Sequence, residues 1–135
     1  MRKYTEFIKE KGFTRGFWIC SKILRSLIVP VIVNGGYKFV TKAMKKDSLH
    51  KLIYAVNQEE VFSKIDFKRR IFKRNSKKNF RYYKAYLRKV KRRGIKVFVL
   101  EYGKGKKNLK QIRRYCRKNG FRYAISPYIE LNKAY

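Results

Sequence analysis

A chain of 135 residues with one histidine, two cysteines and two prolines is short of the side chains that much enzyme chemistry relies on. The lone His50 excludes a multi-histidine metal site and argues against a Ser-His-Asp triad. Cys20 and Cys116 form neither a CxxC nor a zinc-binding spacing. They could pair in an oxidising compartment, but nothing in the sequence demands it. Acidic residues are scarcer still relative to their opposites: 8 Asp and Glu stand against 38 Lys and Arg, a net charge of +30. Long apolar runs are missing as well. The most membrane-like stretch, "FWICSKILRSLIVPVIV", is broken by Lys22, Arg25 and Pro30 and falls short of the ~20 residues a span needs. The opening "MRKYTEFIKEKGF" has no apolar core of a signal peptide. Neither a membrane span nor a signal peptide is therefore expected in this chain.

What the sequence does have is apolar and aromatic content, 44% and 16%, enough for a folded protein rather than a disordered polycation. The length fits a single domain over residues 1–135 with a real core. A surface this basic attracts polyanions, non-specific nucleic acid among them. The plainer reading is that Lys and Arg fill solvated helix faces, since they are spread over the whole chain.

Short apolar runs alternate with basic amphipathic ones. Residues 3–10 read as a short helix ended by Gly12, and "GFWIC" (16–20) as a strand. "SKILRSL" reads as a brief helix or turn, and "VPVIVNGG" (29–36) as a β-branched strand closed by glycines. "YKFVTKAMKK" reads as a helix and "LIYAVN" (52–57) as the next strand. The basic segment 61–79 has weak periodicity, with "RNSKKN" as its loop. "FRYYKAYLRKVKRR" (80–93) is a helix with Phe80, Tyr83, Leu87 and Val90 on one stripe and Gly94 at its C-terminus. "KVFVLEY" reads as a strand, "NLKQIRRYCRKN" as a helix capped by Asn108 and stopped by Gly120, and 122–128 as the last strand. The order is β-α-β-α-β-α-β-α-β, an α/β chain whose near-continuous apolar strands predict a parallel sheet covered by helices.

In a parallel α/β sheet, function gathers at the C-terminal ends of the strands. Asn34, Gln58, Glu59, Glu101, Tyr102 and Ser126 all fall there. Two carboxylates on one rim is notable in a chain with eight acids. On neighbouring strand ends they can lie ~5–10 Å apart, the range for acid/base or nucleophilic work on a glycosidic bond. The competing account makes Glu59 and Glu101 structural ion-pair partners of nearby Arg and Lys. "GKGKKN" (103–108) resembles a phosphate-cradling loop in composition only, without the Walker spacing. The stripe Phe80, Tyr82, Tyr83 and Tyr86 with its basic neighbours fits a helix packing on a sheet better than a base-stacking platform. Cys116, between Arg113 and Arg117, reads as a buried, neutral thiol.

Those strand ends carry a resemblance. "PVIVNGGYKFVTKAMKK", "AVNQEEVFSKIDF", "YYKAYLRKVKRRGIKVFVLEYG" and "IRRYCRKNGFRYAISPYIELN" look like successive segments of the glycoside hydrolase family 114 domain, an endo-α-1,4-polygalactosaminidase-like TIM barrel. The likeness runs from about residue 28 to 132, and more faintly "KGFTRGFWIC" resembles the family's "GFDGFFID" strand. It implies a half barrel of about five strands, acting on a polysaccharide without metal or organic cofactor, in a family often extracellular. Glu59 would match the family's catalytic glutamate and Glu101 would partner it. Asn34, Gln58, Tyr102 and Ser126 would contact sugar. The catalytic aspartate's position falls on Cys20 or on the shortened segment after it, a departure at a residue the chemistry needs. A closed (α/β)8 barrel takes at least ~200 residues, so this chain would need a homo-oligomer or a complementing barrel half. The rival reading is a non-catalytic basic remnant or binding module for polyanions.

Overall fold

The computed structural model describes the backbone of residues 2–130 and the side chains of residues 12–130. Helix α1 (Arg2–Ser26) is followed by β1 (Ile32–Asn34), α2 (Tyr37–Lys45) and a single 3-10 turn at Leu49–Lys51. Then come β2 (Ala55–Glu59), a hairpin of β3 (Ser63–Asp66) and β4 (Ile71–Arg74), α3 (Lys77–Arg92), β5 (Lys96–Tyr102), α4 (Lys106–Asn119) and β6 (Arg122–Ser126). Four strands form one parallel sheet in the order β1-β2-β5-β6, while β3 and β4 pair antiparallel as a separate ribbon. The parallel βα repeat expected from the sequence is present, with four strands. Among the described residues the sheet stays open: β1 and β6 each have a single neighbour in it.

Strand order equal to chain order puts every crossover helix on the same side, given the right-handed rule for such connections. The core confirms this. Val33, Val56, Val97, Val99, Tyr123 and Ile125, one alternating set across the strands, pack with Val40, Leu87, Val90, Ile112 and Cys116 from the three helices. In α3 the expected stripe faces inward: Leu87 and Val90 are fully buried and Phe80 and Tyr83 half-buried against them. The opposite set includes Ile32, Asn34, Asn57, Glu59, Phe98, Leu100 and Ala124, and none of these belongs to that core.

The segment 16–20 is not a strand. It lies inside α1, which runs straight through Gly12 and Gly16. A five-residue apolar run cannot be assigned by periodicity alone, and a glycine costs a helix only ~1 kcal/mol. Contacts to α2 decide the matter: Phe17 is buried with its ring centroid 5.1 Å from that of Phe39, and Lys42 Nζ donates to Thr14 Oγ1 at 2.9 Å. β1 starts two residues after Pro30, and β2 begins at Ala55 rather than 52 because Leu52 and Ile53 are core residues leaving the 3-10 turn. Most of the segment 61–79, with no clear pattern in sequence, is the hairpin. α4 starts at Lys106 with Gly105 as its cap rather than Asn108.

Because α1 is helical at Gly16, and a Cβ there meets nothing within 4 Å, Gly16→Ala should raise stability by about 0.5–1 kcal/mol. Thermal unfolding followed at 222 nm measures it; a lower melting temperature than the parent would refute helical packing at this position.

Candidate functional site

Side chains alternate across a strand, so the two strand-end glutamates can share a face only if their register parities agree. They do not. Glu59 pairs with Leu100 in the β2–β5 ladder, which puts Glu101 on the other face, with Val99 and Gln58. Tyr102, two residues beyond Leu100, returns to the face of Glu59.

Glu101 is fully buried on the helix-facing side. Its Oε1 accepts from the Val61 and Phe62 amides at 2.7 and 3.0 Å, and its Oε2 accepts from the Ser63 amide at 2.9 Å and the Ser63 hydroxyl at 2.6 Å. Burial pushes its carboxyl above the usual range, and these four donors pull against that. Neither half of the sequence argument anticipated this arrangement: Glu101 is in no ion pair, and it does not face Glu59. It clasps the chain where the hairpin leaves β2. The Ser63 hydroxyl also accepts from the Tyr102 amide at 3.1 Å. Nearby in α4, burial first and Glu101 second push the Cys116 thiol up to about 12, so it is a neutral thiol at physiological pH.

Glu59 sits at the end of β2 on the open face, half-buried. Its Oε1 accepts from Asn34 Nδ2 at 2.9 Å and its Oε2 from the Tyr102 hydroxyl at 2.7 Å. Asn57 Nδ2 donates in turn to Asn34 Oδ1 at 2.9 Å. Three of the expected site residues, Asn34, Glu59 and Tyr102, thus meet in one hydrogen-bonded row across β1, β2 and β5, with Asn57 as an added member. Gln58 points the opposite way: it is buried, and its Nε2 donates to the Glu59 carbonyl at 2.9 Å. Ser126, also buried, exchanges hydrogen bonds with the Tyr128 backbone at 2.8 and 3.1 Å. Cys20, one of the two places where the resemblance would put the family's aspartate, lies exposed on α1 and not at a strand end.

The residue sequence reasoning passed over is Glu60. Its backbone is left-handed, φ 55°, which breaks the alternation after Glu59. Burial raises the Glu60 carboxyl; the Ile65 amide opposes that rise, and the neighbouring Glu59 charge adds to it. The tandem "EE" in "VNQEE" was the available signal.

Chemically, the open-face row offers one carboxylate, two carboxamides and a phenol, a set suited to reading hydroxyl and amide groups of a neutral ligand. Among the described residues no cluster of three or more His, Cys, Asp or Glu could hold a metal, and no helix is long and apolar enough to cross a membrane. The chain matches no known family model, no curated protein and no solved structure.

Glu101→Ala strips the acceptor from three backbone amides and a hydroxyl at a fully buried site. It should cost about 3–5 kcal/mol, far beyond a typical surface change. Chemical denaturation gives the size, and amide exchange should accelerate first at Val61, Phe62 and Ser63. A loss under ~1 kcal/mol would mean the clasp is dispensable.

Proposed function

We propose that this chain carries a carbohydrate-facing site of the glycoside hydrolase family 114 type, on part of a βα barrel. The observation that carries the reading is the Glu59 row: a carboxylate held through both oxygens at the C-terminal rim of a parallel sheet, beside amide and phenol groups. Two features support the barrel. The parallel strands follow one another in chain order with their helices on one side, as in a barrel wall, and the opposite face lies outside the core and bears the polar row.

With both oxygens already accepting hydrogen bonds, Glu59 is arranged as a nucleophile or electrostatic stabiliser of an oxocarbenium-like centre. Asn34 and Tyr102 hold it in place, and Asn57 orients Asn34. Glu101, enclosed on the other face, is no longer the partner this reading needs. The acid would come instead from strands that complete the barrel, in a second copy or another chain. On its own, the chain is therefore a binding half-site with little or no turnover.

Binding and cleavage should separate. Isothermal titration with N-acetylated and free galactosamine oligosaccharides should detect binding that Glu59→Gln weakens about tenfold or more, since a hydrogen-bonded charge is removed. Product analysis should find no cleavage by the isolated chain. Equal binding by the parent and Glu59→Gln would remove the role assigned to Glu59. The rival, a basic polyanion module, draws on the charge: among the described residues only three ion pairs form, so most cations remain unpaired. Under it, DNA affinity would fall steeply with salt and sugar would not bind.

A further inference from the structure

A cavity of about 800 Å³ opens beside the Glu59 row, between the β3–β4 hairpin and the starts of α3 and α4. Tyr102 joins the two: its ring lines the cavity while its hydroxyl donates to Glu59. Five cations line the cavity and no carboxylate does. Arg70 and Lys73 are engaged by Glu130 and Asp66. Among the described residues Arg74, Lys77 and Lys104 are in no ion pair; Arg74 makes a long contact, 3.4 Å, to Asn108 Oδ1, and Lys104 Nζ lies 5.8 Å from the Tyr128 ring centroid. One wall is aromatic, with the Phe72 and Tyr102 rings within 17° of parallel. Ligand pockets of this size are mostly apolar, with a few charged groups that select the ligand. Here those charges are all of one sign.

We propose that this cavity is a subsite for an acidic sugar, a ring bearing a carboxylate or phosphate group. Half-buried Phe72, backed by the Tyr102 ring, takes the apolar face of the sugar ring, and Arg74, Lys77 and Lys104 take the oxyanion. The cavity is half open but confined between the hairpin and two helix starts, a shape that fits a short saccharide rather than a length of nucleic-acid backbone, which needs an extended groove. A ligand passing Tyr102 would place its next unit on the Glu59 row. The identity of the ring rests on the carbohydrate reading of that row; the preference for an anion rests on the cavity alone. An acidic polysaccharide also suits a chain of net charge +30, which would repel a polycationic one.

The test is titration of the whole chain, at physiological salt, with an oligogalacturonate, an N-acetylgalactosamine oligosaccharide of equal length, galactose 6-phosphate and a single-stranded oligonucleotide. The variants are the triple Arg74→Gln, Lys77→Gln, Lys104→Gln, a charge-matched control at the exposed Lys89, Arg92 and Lys118, and Glu59→Gln. The cavity triple should lose about tenfold or more on the acidic oligosaccharide and change under about twofold on the neutral one. The control triple should bind both like the parent. Preference for the uronate or for the sugar phosphate identifies which acid is the source, and either supports the subsite. An equal loss in the control, no loss in the cavity triple, or tighter oligonucleotide binding that the cavity triple abolishes would overturn it. If acidic ligands depend on the cavity cations but not on Glu59, and neutral sugar does not bind, the cavity stands and the Glu59 reading falls. If neutral and acidic sugars bind alike and only Glu59→Gln weakens them, the cavity falls and the Glu59 reading stands.

Discussion

One buried carboxylate organises the C-terminal rim of the parallel sheet. Glu101 replaces the water it lost on burial with three consecutive backbone amides and a hydroxyl, all from residues 61–63. That run is where the chain leaves β2 and turns into the hairpin. Without an acceptor, these donors would sit unsatisfied, a state folded proteins avoid. The clasp fixes where Ser63 begins β3, and the Ser63 hydroxyl passes the constraint on to the Tyr102 amide. Tyr102 in turn reaches Glu59 on one side and lines the cavity on the other. The open-face row and the hairpin wall of the cavity are therefore positioned by the same acid.

The two rim glutamates show how a period of two sorts equal residues into different roles. Both are near the ends of adjacent parallel strands, and sequence position alone makes them equivalent. Register does not. Glu59 shares parity with Asn34 and Tyr102 and faces outward; Glu101 shares parity with Val97 and Val99 and faces the helices. The cost of burying an acid beside Tyr115 and Cys116 is met in part by hydrogen bonds rather than by a countercharge. In a chain with 38 basic residues that is a telling choice: a Lys or Arg partner would itself have needed burying.

The parts legible in the sequence were those where local pattern and tertiary role agree. α3 and α4 carry apolar stripes at helical spacing, and β5 is an apolar run of strand length, so all three were placed within a few residues. The start of β2 is not readable from the sequence because the nearest apolar residues, Leu52 and Ile53, serve the core from a turn, while its strand end is polar on account of the open face. The hairpin was unreadable for a different reason. Its turn places Arg70 at φ 53° with no glycine to mark it, and the only local cue is Asp66, whose Oδ1 accepts from the Arg69 amide at 3.1 Å. "GFWIC" failed as a strand because Phe17 had a helix to pack on. Asn34, Glu59 and Tyr102 can be grouped from the sequence because strand ends are readable there; the face on which Glu101 lies cannot be, because parity across strands is not.

The open face poses the remaining physical question, and charge helps to answer it. Ile32 is half exposed on that face, and Ile28 and Val29, just before β1, are largely or wholly exposed. Apolar surface of this kind favours being covered. A second copy would bring another +30 to the contact, a repulsion that grows as salt is lowered. A complementing segment richer in acids would meet no such penalty. Under the barrel reading proposed above, hydrophobic cover and charge balance favour an acidic βα segment over a second copy of this chain.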